Sequence, residues 1–385
     1  MALAAGLLLV AAMGCTATRP LPRAAPAAPI VLEYLGAVAY PANALTPVAG
    51  GMRLGSLSGL ALDALSGRWI GATDDVQQPR LAWLDVAVAS GNPEVALRDF
   101  LTLSAAPEPA ARVALDRLDM ESIVVLPDGS FAVTNEGHTD RDGVARQPAL
   151  LSISRNGLVS AVAHPPAHYT ISRSDTTHGV RHNLGFESLA RTPDGRLITG
   201  LEQPLLQDGP VSTAQHGGRV RLLEFVQQGN AWQARREWAY DLDPTPRRAG
   251  YGDTCVDGDN GLSELYALDD TRFIALERAC LVGAPDQPAF NPVRLYLVDL
   301  SGADDVSSHT SLAGREVRAV RKRLLLDLTP LTNRMPPSLV TGSNFEGMAA
   351  GPPAPDGSPT LLLVSDDNFR ATQTLAFVWL KLRRM

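Results

Sequence analysis

Acidic side chains recur at matching places in five similar segments of this 385-residue chain. Oxygen-only ligands suit a hard cation, Ca²⁺ above all, and acids that face each other repel unless a cation lies between them. The alternative is that each acid caps a neighbouring backbone or pairs with an arginine of the next repeat. We expect a calcium-binding set formed by Asp74, Glu121, Glu136, Glu187, Glu202, Glu264, Glu277, Glu346 and Asp366.

Histidines and arginines near these acids offer complementary chemistry. Bound Ca²⁺ would attract phosphate, polarise a phosphoryl oxygen and lower the pKa of a bound water. Arginine suits phosphate because its planar fork donates two parallel hydrogen bonds. The alternative is that each of them is an ordinary loop residue. The chain has no nucleophile elbow, His-Glu-x-x-His, P-loop or dinucleotide motif. The catalytic candidates are His178, Arg181, His182 and Arg278, with His138 and Arg141 on the same face.

The acids lie at the ends of predicted β-hairpins. Each segment has two apolar runs around a turn, and two of the turns are Pro-Asp-Gly, in which proline presets φ and glycine accepts a positive φ. Residues placed symmetrically about such a turn should lie opposite each other. This predicts the pairs Glu121 with Glu136, Glu187 with Glu202, Glu264 with Glu277, Glu346 with Asp366, and Ser58 with Asp74.

The repeat predicts an all-β fold, a β-propeller of four-stranded blades. Each hairpin is followed by room for two more strands, except that the last is followed by one, Thr374–Leu382. Strand Ile30–Val38 is expected to complete that blade, so that pairing of the terminal strands closes the ring and leaves no open edge. The repeat count gives five blades, with six as the alternative. The long loops should all emerge beside the acids, where binding sites usually form.

The N-terminal segment predicts an exported protein. Residues 1–15 resemble a lipoprotein signal segment that ends at Cys15, the expected lipidation site, although an uncleaved Ala-rich tail is the alternative. Residues 16–29 are rich in Ala and Pro and are expected to be a linker, followed by a single domain over residues 30–385. We expect a monomer in the periplasm or at the outer membrane, held to the membrane only by its lipid anchor.

The remaining cysteines and the charge complete this picture. Cys255 and Cys280 flank the fourth hairpin, and in an exported protein they are expected to form a disulfide. A pair of buried free thiols is the alternative.

The formal net charge is −7 and the pI about 5.5. The sequence has no basic patch of the kind that would indicate nucleic-acid binding.

The repeated pattern of Phe-Glu-Ser or Phe-Glu-Gly, Pro-Asp-Gly and a closing acid resembles the phytase-like family, whose members are described by an esterase-like activity of phytase. The ending Asn344-Phe345-Glu346-Gly347 and Ser365-Asp366-Asp367-Asn368-Phe369 is similar too. The resemblance covers approximately Ile30 to Leu382. It implies a propeller, an exported bacterial protein and hydrolysis of phosphate esters.

Two functions are therefore expected from the sequence. The first is a metal-dependent, calcium-using hydrolase of phosphate esters or related esters at the cell envelope, acting on a small anionic or ester substrate. The second is a non-catalytic envelope propeller that binds a sugar, a peptide or an envelope component, because propellers host many functions.

Overall fold

The computed structural model describes residues 29–41, 44–45, 52–105, 115, 117–140, 142–229, 231–252, 260–284 and 289–384, without the side chains of residues 161 and 340–342. These residues form five four-stranded antiparallel blades in a β-propeller arrangement. The prediction of an all-β propeller with five blades is confirmed. Cys15, Arg141 and Cys255 lie outside the described residues, so the lipidation site and the Cys255–Cys280 disulfide stay predictions.

Strand β1 covers Ile30–Pro41 and belongs to the last blade. Blade 1 contains β2 (Leu57–Asp63), β3 (Arg68–Thr73), β4 (Arg80–Ala89) and β5 (Asn92–Thr102). A short strand, β6 (Ser104–Ala105), leads into blade 2, which contains β7 (Met120–Val125), β8 (Phe131–Asn135), β11 (Ala149–Ile153) and β12 (Leu158–Ala163). Strands β9 (His138–Thr139) and β10 (Ala145–Arg146) form a small hairpin between β8 and β11.

Blade 3 contains β13 (Phe186–Arg191), β14 (Leu197–Leu201), β15 (Arg219–Gln228) and β16 (Ala231–Asp241). Blade 4 contains β17 (Gly261–Ala267), β18 (Arg272–Arg278), β19 (Val293–Asp299) and β20 (Arg321–Asp327). Blade 5 contains β21 (Asn344–Ala350), β22 (Thr360–Asp366) and β23 (Thr374–Arg384). The helical segments of the described residues are two 3₁₀ helices, Ala167–Tyr169 and Thr329–Arg334, and one short α-helix, α1 (Pro337–Gly342).

The N-terminal strand closes the ring, as predicted. β1 pairs antiparallel with β23, from Ile30 opposite Arg384 to Pro41 opposite Thr374. It therefore becomes the outermost strand of blade 5. This pairing covers the edge that β23 would otherwise leave open, and it joins both ends of the described chain in one sheet.

The hairpins form because their turns have the required chemistry. In the second repeat, Gly129 has a φ of +83°, and the Leu126 N–H donates to the Ser130 carbonyl. The Asp128 carboxylate accepts a hydrogen bond from the Ser130 backbone N–H at 2.9 Å, which fixes the turn from within. The third repeat has the same backbone arrangement, with Gly195 at +92° and the Thr192 N–H donating to the Arg196 carbonyl.

The hydrophobic core lies between neighbouring blades and not inside any one blade. Buried side chains of blades 1 and 2 form one cluster, and those of blades 4 and 5 form another. Clusters between blades 2, 3 and 4 and between blades 5 and 1 complete the ring. Each sheet is therefore buried on both faces, and the innermost strands β2, β7, β13, β17 and β21 are held around a common axis.

One long connection contradicts the expected loop asymmetry. The segment between β19 and β20 starts at the end of the blade far from the acids, whereas all long loops were expected beside them. It runs along β16, where the Val306 N–H donates to the Glu237 carbonyl and the Val320 N–H donates to the Ala239 carbonyl. The segment therefore covers the outer edge of blade 3, a structural role that loop length alone does not reveal.

Candidate metal centre

A bulge in each innermost strand aims one residue at the mouth of the propeller. The pairing register shifts at the first residues of all five inner strands. An extra residue in one strand of an antiparallel pair bends that strand and redirects its side chain. The residues at the shifts are Ser58, Glu121 with Ser122, Glu187, Ser263 and Glu346.

A second position in every hairpin follows the same rule. It comes one residue after the partner of the inner-strand residue that precedes the bulge, as Glu136 does after Asn135, which pairs with Met120. The side chains at this position in blades 1 to 5 are Asp74, Glu136, Glu202, Arg278 and Asp366. Four blades therefore contribute a carboxylate, and blade 4 contributes a guanidinium.

The predicted pairing of Glu264 with Glu277 is wrong. Glu264 lies opposite Leu276, and Glu277 lies opposite Leu262. Both acids are one residue nearer the turn than their counterparts in blades 2 and 3. Because strand side chains alternate between faces, a shift of one residue turns a side chain away from the mouth. The positions equivalent to Glu187 and Glu202 are occupied in blade 4 by Ser263 and Arg278.

Glu277 is instead part of a buried polar network between blades 3 and 4. Its carboxylate accepts hydrogen bonds from Lys322 Nζ at 2.6 Å, Tyr240 Oη at 2.7 Å and Asn260 Nδ2 at 2.5 Å. Burial raises the pKa of Glu277, although the Lys322 charge opposes the increase. Glu277 therefore fits the alternative to metal binding, in which hydrogen bonds and ion pairs within the protein satisfy the carboxylate.

Glu264 joins four inner strands near the axis. Its carboxylate accepts hydrogen bonds from Ser122 Oγ of blade 2 at 2.8 Å and from the backbone N–H groups of Leu189 and Leu265 at 2.9 Å. The backbone of Met348 in blade 5 also donates to it. Burial raises its pKa to about 8, even though these hydrogen bonds favour the ionised form.

The remaining predicted acids do converge at the mouth. One oxygen from each of Asp74, Asp119 and Glu121 lies within 4.8 Å of the other two. The same holds for Glu121, Glu136 and Glu187. The acidic ring, as we call it, comprises eight buried or half-buried carboxylates: Asp74, Asp119, Glu121, Glu136, Glu187, Glu202, Glu346 and Asp366.

Asp119 is the ring member that the repeat pattern missed. It precedes β7, outside the repeat unit, where the other copies have a residue without a charge. Its backbone carbonyl accepts the Glu136 N–H, which fixes it beside the end of β8. The sequence signal that could have identified Asp119 is its position two residues before Glu121, since residues two apart on a strand share a face.

Burial and mutual repulsion control the protonation of the ring. Burial, followed by neighbouring carboxylates, raises the pKa of Asp74, Glu121 and Glu187 well above the ordinary range. Asp119 is the exception: burial opposes its ionisation, but hydrogen bonds from His138 and Asp74 hold its pKa below the ordinary value. Without a cation the ring therefore retains protons that the same acids would release in water.

Glu136 has an oxygen that no protein group satisfies. Its Oε1 accepts the Gly185 N–H at 3.0 Å, whereas its Oε2 is buried without a hydrogen-bond partner. Gly185 is required here, because a Cβ at that position would lie 2.1 Å from the Glu136 carbonyl oxygen. An unpartnered carboxylate oxygen inside a group of acids is the arrangement that a bound cation would complete.

Arg278 is the one guanidinium in the ring among the described residues. Its Nη2 lies 3.0 Å from Glu346, 3.1 Å from Glu202 and 3.5 Å from Glu187. These carboxylates raise the pKa of Arg278 further above its ordinary value, in spite of its burial. Asn344 Nδ2 also donates to the Glu346 carboxylate at 2.6 Å.

The predicted histidines and arginines differ in their distance from the ring. His138 Nδ1 lies 2.9 Å from Asp119 Oδ2, and the ring of His182 is 6.4 Å from that of His138. By contrast, His178 is exposed and bonded to Asp175. Arg181 donates to the carbonyls of residues 204 and 209 and therefore joins two stretches of loop. Of the four catalytic candidates, Arg278 alone lies in the ring.

The donor chemistry fits a hard divalent cation. Every candidate ligand atom in the two close groups is a carboxylate oxygen, with no thiolate and no imidazole among them. Ca²⁺ takes six to eight oxygen ligands and tolerates irregular geometry. Asp74, Asp119, Glu121 and Glu136 would hold such an ion, and Glu187 would lie between it and Arg278.

The fold and the site thus define the class of protein: a β-propeller with a ring of carboxylates at one end of its axis. The phytase-like family, described as having the esterase-like activity of phytase, matches residues 52–369. The chain belongs to this family, and the family description indicates a hydrolase. The resemblance stated from the sequence is confirmed.

Among solved structures, the chain is similar in fold to an endo-arabinase from Bacteroides thetaiotaomicron, with 10% identity, a TM-score of 0.42, and 91% of this chain and 97% of that chain covered. A thermostable family-43 glycoside hydrolase matches with 10% identity, a TM-score of 0.38, and coverage of 88% and 92%. A glucose dehydrogenase matches with 14% identity, a TM-score of 0.37, and coverage of 91% and 98%.

No curated protein matches the chain. No helix in the described part of the chain is long and apolar enough to cross a membrane.

Proposed function

We propose that this protein is a calcium-dependent hydrolase of phosphate esters or related esters at the cell envelope. The observation that carries the proposal is the acidic ring, in which eight carboxylates are accompanied by a single guanidinium among the residues that the structure describes. Such an excess of buried negative charge is costly unless a cation binds. Membership of the phytase-like family supports ester hydrolysis. The predicted Cys15 anchor places the protein in the periplasm or at the outer membrane under this proposal.

The residues of the ring have distinct roles in the proposed reaction. Bound calcium would polarise a phosphoryl or acyl oxygen and favour ionisation of a water molecule. His138 keeps the Asp119 carboxylate ionised and oriented, because its imidazole bonds directly to that oxygen. Asp74, whose pKa is raised by burial and by Asp119, releases its proton when the cation binds.

Arg278 prepares the other side of the ring for an anionic substrate. It neutralises part of the charge of Glu187, Glu202 and Glu346, which would otherwise repel a phosphate. A planar guanidinium also offers a phosphate parallel N–H donors. We therefore assign substrate recognition to the Arg278 side and cation binding to the Asp119 side.

The test is hydrolysis by the purified full chain, stripped of metal and then supplied with Ca²⁺ or with chelator. Phosphomonoesters and simple carboxylic esters are the substrates. We expect calcium-dependent turnover that Glu136→Gln lowers and Glu94→Gln, at an exposed position of β5, does not. No turnover of either substrate class, with or without Ca²⁺, would contradict the proposal and favour a non-catalytic binding propeller.

A further inference from the structure

Arg278 occupies a position that is acidic in every other blade. The structural register equates it with Asp74, Glu136, Glu202 and Asp366, each of which follows the same point of its hairpin. The inner position of the same blade is also changed, from glutamate to Ser263. Blade 4 therefore contributes one positive charge and no carboxylate at the two ring positions.

The contacts of Arg278 are those of a bound cation. A single terminal nitrogen lies 3.0–3.5 Å from carboxylates of Glu187, Glu202 and Glu346, which belong to two different blades. The side chain is buried, and its Nε has no hydrogen-bond partner. The guanidinium thus neutralises the acids from the blade 3 and blade 5 sides of the ring.

The opposite side of the ring has no comparable partner among the described residues. Asp74, Asp119, Glu121 and Glu136 have no lysine or arginine within ion-pairing distance. Glu136 Oε2, on a residue that is 1% exposed, is buried and unpartnered. This unsatisfied oxygen is an observation independent of the acidic cluster itself, and among the described ring carboxylates it favours a cation on this side.

We infer that Arg278 replaces a metal ion in one half of the ring. Calcium is thereby confined to the half formed by Asp74, Asp119, Glu121 and Glu136. The inference deepens the proposed function and rests on its metal site. It predicts that removal of the guanidinium makes Glu187, Glu202 and Glu346 available to bind one additional ion.

Calcium stoichiometry tests this directly. The full chain is stripped with chelator and titrated with Ca²⁺ by calorimetry and equilibrium dialysis. We expect Arg278→Gln to bind one more Ca²⁺ per chain than the wild type, and Arg278→Lys to keep the wild-type number because it keeps the charge. The matched control is Arg294→Gln, in the same blade, where the arginine faces Asp243 and Asp327 outside the ring.

A second pair of variants retains Arg278, so it remains informative even if Arg278→Gln does not fold. Glu136 and Glu202 occupy equivalent positions of neighbouring blades, and both are buried. We expect Glu136→Gln to weaken calcium affinity by about 10–100-fold. Glu202→Gln, on the side neutralised by Arg278, should leave the affinity unchanged.

The outcomes separate the two proposals. If the wild type binds no Ca²⁺ but Arg278→Gln binds one, the metal dependence of the proposed function fails and calcium binding on the Asp119 side fails with it, whereas the replacement of an ion by Arg278 stands. If the wild type binds Ca²⁺ and Arg278→Gln binds the same number or fewer, the inference is overturned and the proposed function stands. Equal losses of affinity in Glu136→Gln and Glu202→Gln would also overturn it, and no binding by any variant would overturn both.

Discussion

Two groups of buried charges in this propeller are built in opposite ways. At the edge of blade 3, Arg221 is fully buried and bonds to both oxygens of Asp208, at 2.6 and 2.9 Å, and to Glu237 at 2.8 Å. His168 and Tyr169 also contact the Glu237 carboxylate. In the acidic ring, Arg278 contacts three of the eight carboxylates, and no lysine or arginine of the described residues pairs with the Asp119 side. Buried carboxylates that are matched by protein cations serve the fold. Buried carboxylates without such partners favour the binding of a cation from solution.

The largest effect is expected from Arg221→Met, which breaks the matched group. Removal of one partner leaves Asp208 and Glu237 buried and uncompensated, and the expected loss of folding free energy is about 3–5 kcal/mol. Urea unfolding of the metal-free protein measures it. Arg235→Met, at an exposed position of β16, is the control and should stay within about 0.5 kcal/mol of wild type. A loss below about 1 kcal/mol for Arg221→Met would show that this network is not structural.

The next effect is the pH dependence contributed by Glu264. In the folded protein its pKa is raised to about 8, against 4.5 for an ordinary glutamate. Between these values the unfolded chain releases a proton that the folded chain retains, so stability falls as pH rises. The slope from this residue is at most about 1.4 kcal/mol per pH unit.

Glu264→Gln removes this titration. The stability of the wild type relative to the variant should therefore decline from pH 5 towards pH 8, as measured by denaturant unfolding in chelator at several pH values. The ring carboxylates titrate in both proteins and cancel in the difference. A difference that is independent of pH would show that Glu264 is ionised throughout, held by its four hydrogen-bond donors.

A smaller loss is expected from Glu277→Gln. This acid resembles the Arg221 group because Lys322, Tyr240 and Asn260 all donate to it. Replacement by an amide presents an NH₂ group to these donors and should cost about 1–3 kcal/mol in the metal-free protein. Thermal unfolding measures it, and calcium affinity should not change. Weaker calcium binding in this variant would place Glu277 back with the metal ligands.

The smallest effect on stability is expected from Glu136→Gln, and its sign is opposite. The substitution removes one of several repelling carboxyls, so the metal-free protein should be as stable as wild type or more stable, by up to about 1 kcal/mol. The same unfolding experiment with chelator measures it. Clear destabilisation would indicate that Glu136 is matched by its surroundings, as Glu277 is.

The contrast between matched and unmatched acids also explains what the sequence could predict. Turn chemistry at Pro127–Gly129 and Pro193–Gly195 and the missing strand of the last repeat were sufficient for the hairpins, the blades and the closure by β1. Register within a strand was harder. Glu264 and Glu277 differ from true ring positions by one residue, and only the bulge in β17 decides which face they take.

Contacts between distant segments were beyond the sequence pattern. Asp119 belongs to the ring because blade 2 has an acid where blades 1 and 3, which make the same backbone hydrogen bond, have Ser56 and Gly185. Arg278 was identified as a candidate for anion binding, but its contacts with acids of blades 3 and 5 required the closed ring. The segment between β19 and β20 is a cover for blade 3 because it pairs with β16, a strand of another repeat.

A crystal structure with bound calcium, in which anomalous difference density locates the ion, would distinguish the two sides of the ring. We expect a peak bounded by Asp74, Asp119, Glu121 and Glu136, about 2.3–2.6 Å from their oxygens. We also expect Arg278 to keep its contacts with Glu187, Glu202 and Glu346. A ring without density at saturating Ca²⁺, or an ion bound on the Arg278 side with the guanidinium displaced, would contradict a calcium site on the Asp119 side.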